Sequence, residues 1–208
     1  MDERLKNLIN KAENGDIDAM TMVGDCYNRG FHTEKNEQEA HKYYKMAADK
    51  GHVQANLMVA IDLLNGIGTA KDKKLGTKYL QVAADGGAAY AQYLLASLYK
   101  IGEIGFLGRE QKAMKYFEMA SKQGDAKSQV ELADMIMLTP KSKYTLDDMV
   151  FWLSCAYLHG KASEKESNDA LQRINHLISN RIPGGKARIE QTLEDVKRNH
   201  QDYLKNPF

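Results

Sequence analysis

Cysteine, proline, net charge and long apolar runs are all scarce in this chain, and each scarcity excludes something. There are two cysteines, Cys26 and Cys155, and both thiols are expected to be buried as small apolar groups. Three prolines in 208 residues, with 43% hydrophobic content, agree with one folded chain of regular elements. A formal net charge of +1 gives no electrostatic reason to expect nucleic acid. No apolar stretch approaches the ~20 residues that span a bilayer, and the amino end has no signal-peptide core, so no membrane is expected and the expected location is the cytoplasm. Catalytic constellations are absent too. The six histidines show no ligand spacing, there is no HExxH or CxxC pair, and Gly184-Gly185-Lys186 lacks the Ser or Thr and the upstream glycine of a phosphate loop. The expectation is no enzyme, no cofactor and no metal.

What the chain does have is a period. Gly15, Gly51, Gly87, Gly124 and Gly160 fall 36, 36, 37 and 36 residues apart, a spacing that marks stacked supersecondary units, each too small to bury its own apolar face. Small residues follow four after each glycine (Ala19, Ala55, Ala91, Ser128), pairs such as Val23-Gly24 and Leu132-Ala133 eight and nine after, and Tyr27, Leu63, Tyr99 and Ile136 twelve after. Gly30, Gly66 and Gly102 then close the segment, while the fourth unit has Thr139-Pro140. These offsets trace one face of a helix with a glycine C-cap. Counting back from the next glycine, Ala47, Ala83, Ala120 and Ala156 stand at four, Tyr44, Leu80, Phe117 and Leu153 at seven, and Tyr43, Tyr79, Tyr116 and Trp152 at eight, which traces a second amphipathic helix. The aromatic columns are core by this reading, and truncating Tyr27 or Tyr99 is expected to cost about 3–5 kcal/mol.

The stretches AMTMVGDCYNRG with EQEAHKYYKMAADKG, ANLMVAIDLLNGIGTAKD with LGTKYLQVAADGG, and AQYLLASLYKIG with EQKAMKYFEMASKQG resemble the Sel-one-like repeat (SLR) family, a relative of the tetratricopeptide repeat. Several fixed columns in three successive units make the pattern specific, although the family's glycine-x-glycine loop survives only as Gly66-Ile67-Gly68. The resemblance implies an all-α fold, a right-handed α-solenoid of stacked helix-turn-helix repeats with C-terminal capping helices. Some members of that family bridge the helices of a repeat by a disulfide; here no unit holds two cysteines. On this reading residues 1–208 form one solenoid domain: a capping helix at 1–14, units at 15–50, 51–86, 87–123 and 124–160, and capping helices at 161–208. Stripes at Leu5, Leu8, Ile9 and Ala12, at Leu171, Ile174, Leu177 and Ile178, and at Ile189, Leu193, Val196, His200 and Tyr203 suit the caps.

By analogy with tetratricopeptide geometry, positions three, six, ten and thirteen after each glycine line a concave wall. The first unit places Asp18, Thr21, Asp25 and Asn28 there, the second Gln54, Leu57, Ile61 and Leu64, the third Tyr90, Tyr93, Ser97 and Lys100, and the fourth Lys127, Val130, Asp134 and Met137. The wall thus turns from polar to apolar and aromatic. One reading is a groove whose apolar residues take a peptide or partner helix, oriented by the charged ones; the other is that the C-terminal helices fold into the curve or that the core is wider here. The family resemblance implies an adaptor that holds protein partners together. A bacterial immunity-type protein covering a toxin with about 800 Å² per side is the alternative, and a hydrolase of cell-wall fragments or β-lactams ranks last. A monomer is expected.

Overall fold

A computed structural model describes residues 2–105, 107–139, 142–158, 164–180 and 185–204, with backbone alone at 164, 166 and 177–180. All regular structure among them is helical, and the chain divides into two compact units, 1–91 and 92–208. Gly160 lies outside the described residues.

The first unit holds α1 (Glu3–Glu13), α2 (Ile17–Arg29), α3 (Glu37–Ala48), α4 (Val53–Asn65) and α5 (Lys73–Asp85), each packed on the next, and the first residues of α6 (Ala89–Ile101). Local chemistry starts and stops each helix. Asp16, Asn36, His52 and Asp72 accept a hydrogen bond from a first-turn amide, and α2 and α4 end on left-handed Gly30 and Gly66. The core gathers the small and aromatic columns: Ala19, Val23, Ala47, Ala55 and Val59 around the Tyr44 ring, which is 1% exposed. That ring lies against Gly24, where a Cβ would fall 2.6 Å from it. Tyr27 is only half-buried, stacked on Tyr43 with centroids 6.0 Å apart, so the expectation that it is full core is corrected: its outer edge meets solvent. Tyr99 shares this placement in the second unit, stacked on Tyr116 at 6.2 Å.

α1 differs from α3 in the polarity of one face. Leu5 and Ala12 are fully buried, Leu8 and Ile9 half-buried. Arg4, Asn7 and Lys11 are exposed, and they occupy the columns that Ala40, Tyr43 and Ala47 fill in α3. In α3 the Tyr43 column stacks on Tyr27 of α2, whereas the same columns of α1 carry hydrophilic residues.

The second unit holds the rest of α6 with α7 (Arg109–Lys122), α8 (Ala126–Leu138), α9 (Leu146–Leu158), α10 (Glu164–Asn180), α11 (Gly185–Asn199) and a 3-10 turn over Gln201–Leu204. Asp125 caps α8, and Thr145 and Asp148 cap α9 reciprocally through side chain and backbone. α10 packs on α9 and α8, α11 on α9, and the 3-10 turn on α7, α9 and α11. Ile174, Ile189 and Val196 carry the expected stripes inward, and Phe151, Trp152, His200 and Tyr203 form a ring cluster with centroids 5.0–5.9 Å apart. Gln129, fully buried, donates to Ser121 O at 3.1 Å and to Tyr203 O at 2.7 Å, tying the start of α8 both to the end of α7 and to the C-terminal turn. It belongs to a column five after each glycine, Met20, Asn56, Gln92 and Gln129, whose last three members are buried amides. Asn56 donates to Ala48 O and Gln92 accepts from Gln123, so the buried amides satisfy groups at hairpin junctions.

Two chemical consequences follow. Glu118 on α7 is largely buried, which opposes ionisation, but hydrogen bonds from Lys122, Tyr144 and Lys143 prevail and hold its carboxyl down at about 2. With a folded value below the unfolded one of about 4.3, the carboxylate stabilises the fold above that pH, and the contribution fades as pH falls towards the folded value. Urea midpoints measured at pH 7, 4 and 3 are expected to fall more steeply for the native chain than for Glu118→Gln; parallel profiles would refute the assignment. Cys155 is fully buried and its thiol is pushed up to about 12 by that burial. Iodoacetamide at pH 8 is expected to leave it unmodified in the folded protein and to alkylate it in urea, as read by intact mass.

Candidate interaction surface

In the first unit the predicted wall is a polar network beside an apolar strip. Tyr44 donates to Asp25 Oδ1 at 2.7 Å, and burial, followed by that bond, pushes the phenol well above its ordinary range. His41 bonds Asp62 at 3.0 Å; burial raises the Asp62 carboxyl and the histidine contact offsets part of the rise. His52 Nδ1 accepts from the Ala55 amide at 3.2 Å as the α4 cap, which leaves its Nε2 as the protonated nitrogen, 3.6 Å from the exposed Asp18. Asn28, Ile61 and Leu64 are half-buried and Tyr90 is exposed. Leu57 is 3% exposed, which corrects its assignment as a contact residue: its side chain is spent on the interior.

In the second unit α10 joins the wall. Arg173 makes a two-pronged ion pair with Asp134 of α8, its Nε at 2.7 Å and its second terminal nitrogen at 2.9 Å, while Lys100 pairs with Glu131. Asp134 is therefore a bridge between helices and not a free acidic group. Two clefts flank the bridge. One, about 550 Å³, has Ala133, Met149 and Leu153 as its buried floor and Met137 and Leu138 at its edge, with Lys100, Gln172 and His176 around them. Met137 and Leu138 are 45% and 70% exposed. The other, about 460 Å³, is polar and is lined by Tyr93, Lys127, Glu131, Lys165 and Asp169. Val130 also touches it but is 7% exposed, so its assignment as a contact residue is corrected in the same sense as that of Leu57. Tyr93 is half-buried against Phe117 at 6.1 Å, and burial raises its phenol.

The residues that sequence reasoning missed are those of α10. The signal was available: Arg173 stands thirteen after Gly160, in the phase of Asn28, Leu64, Lys100 and Met137. Reading residues 161–208 only as a cap hid that phase.

Among the described residues no group of His, Cys, Asp and Glu could hold a metal ion, and no helix is long and apolar enough to cross a membrane.

The chain is similar in fold to a Sel1 repeat protein from Oxalobacter formigenes, with a TM-score of 0.74 at 19% identity over 93% of this chain and 78% of that one. It is likewise similar to c5321, a protective antigen of uropathogenic Escherichia coli displaying an SLR fold, with a TM-score of 0.67 at 18% identity over 95% of this chain and 44% of that one. Immunity protein Pa5087 from Pseudomonas aeruginosa aligns over 97% of this chain and 74% of its own at 18% identity, but its TM-score of 0.46 is too low to establish a common fold. No curated protein matches the sequence. The Sel1 repeat model matches residues 17–52, 53–87 and 89–125, just over half of the chain. The periodic glycines, the paired helices and these matches together make the chain a member of the Sel1 repeat family.

Proposed function

We propose that the chain is a non-catalytic interaction scaffold, and that the face built by α8 and α10 receives a peptide or a helix of a protein partner. The observation that carries this is the cleft of about 550 Å³, where Met137 and Leu138 stay open to solvent over a floor of Met149 and Leu153. A buried apolar floor with a charged rim has the composition of an interface core. In the first unit, taken by itself, the polar and half-buried residues Asp25, Asn28, Ile61 and Leu64 with exposed Tyr90 are proposed as a contact surface; Leu57 and Val130 leave the set.

Affinity capture with the native chain beside a Met137→Asp, Leu138→Asp variant tests this. Both side chains are exposed, so the variant is expected to keep its helical circular dichroism and to lose the captured protein. Equal capture by both chains would move the site elsewhere.

A further inference from the structure

The charges around the two clefts are not evenly satisfied, and the imbalance has a sign. Lys100 is matched by Glu131 and Arg173 by Asp134. Arg173 also donates to the backbone carbonyl of Asp169 at 3.2 Å, which holds its guanidinium across the top of the wall between the clefts. Lys127 and Lys165 line the polar cleft, are exposed, and make no close ion pair among the described residues, although Lys127 also feels the carboxylate of buried Asp125 at the start of α8. The two carboxylates of that cleft, Glu131 and Asp169, lie near the guanidinium, and Glu131 is already bonded to Lys100. Both clefts have Arg173 in their lining, so they are neighbours.

From this we infer that the partner segment pairs a large apolar side chain with a carboxylate: the apolar group seats over Met149 and Leu153, and the carboxylate lies on the far side of the Arg173 bridge between Lys127 and Lys165. The inference rests on the scaffold reading above and adds the chemistry of the ligand. Its physical basis is complementarity. Two exposed ammonium groups outside any close ion pair, beside a desolvating apolar surface, favour an anion there and disfavour a cation, which sets partner choice and encounter rate more than total affinity.

The test uses the full chain and a displayed library of random peptides. Peptides enriched by the native chain are expected to combine Leu, Met or an aromatic residue with Asp or Glu, and a synthetic representative is expected to bind more weakly as salt rises. Replacing its carboxylate by the amide, or reversing the charge of the site with Lys127→Glu, Lys165→Glu, is expected to weaken binding on the order of tenfold, the sum of two exposed ion pairs. Panning the charge-reversed chain is expected to switch the preference to Lys and Arg. Peptides that lose binding on Met137→Asp yet show no acidic preference would overturn this inference and leave the scaffold reading standing. No enrichment, or enrichment indifferent to Met137→Asp, would overturn both. Helical circular dichroism of each variant separates these outcomes from misfolding, and all three substituted side chains are exposed.

Discussion

Tyr44→Ala is expected to cost about 3–5 kcal/mol of unfolding free energy, the range for deleting a fully buried aromatic ring. The ring is enclosed by α2, α3 and α4, with glycine at position 24 leaving room for its face. The loss has two parts that a second variant separates. Tyr44→Phe keeps the ring and removes only the hydroxyl that donates to Asp25 at 2.7 Å. A hydrogen bond to a charged acceptor contributes about 1.5 kcal/mol or somewhat more, so the phenylalanine variant is expected to lose that share alone. Tyr27→Ala, whose ring is half-buried, is expected to lose about 1–2 kcal/mol. Urea titrations of the three variants check the order, and a Tyr27 loss equal to that of Tyr44 would show that the two columns have been misjudged.

That contrast shows where sequence was informative. Columns seven and eight before the later glycines and twelve after each unit's glycine carry aromatic or large aliphatic residues, and all point towards a neighbouring helix. Periodicity reports the direction of a side chain; it does not report how far the neighbour extends over it. Tyr44 lies between helices, while Tyr27 lies at the margin of one hairpin against Tyr43. The same limit explains Leu57 and Val130. Their phase gives a direction, but burial depends on which side chains from adjacent helices close over them, and that is a property of three helices at once. The helices, their caps and the small columns were legible because local rules set them. The Asp134 to Arg173 bridge needed α10 to be read in the phase of the earlier units, since its partners stand 39 positions apart on different helices.

Gly68→Ala is expected to destabilise the first unit by roughly 2–4 kcal/mol. Two causes combine. The residue adopts φ +63°, a left-handed conformation that costs a side-chain-bearing residue about 1–2 kcal/mol. In addition, a Cβ there would stand 2.0 Å from the carbonyl oxygen of Glu37, at the start of α3, and backbone cannot swing aside as a flexible side chain can. The loop after α4 therefore presses directly on the first turn of α3, the second helix of the hairpin before it. Gly51→Ala is the matched control, since Gly51 has φ +88° with no atom within 4 Å of the added carbon. It is expected to show the conformational cost without the clash. Thermal or urea unfolding of the two variants reads the difference, and equal losses would mean that the loop moves away freely.

The chain has a single tryptophan, and Trp152 sits in the second unit with Tyr203 at 5.6 Å and Phe151 at 5.0 Å. Its fluorescence is thus a local gauge, blind to residues 1–91, whereas far-ultraviolet circular dichroism sums every helix. Recorded on one denaturant series, the two signals become a cooperativity meter: coincident curves mean that both units melt as one body, and separated curves give each unit a midpoint of its own. Because Tyr203 belongs to the C-terminal turn, an emission change that precedes any loss of helix would mark that turn letting go first.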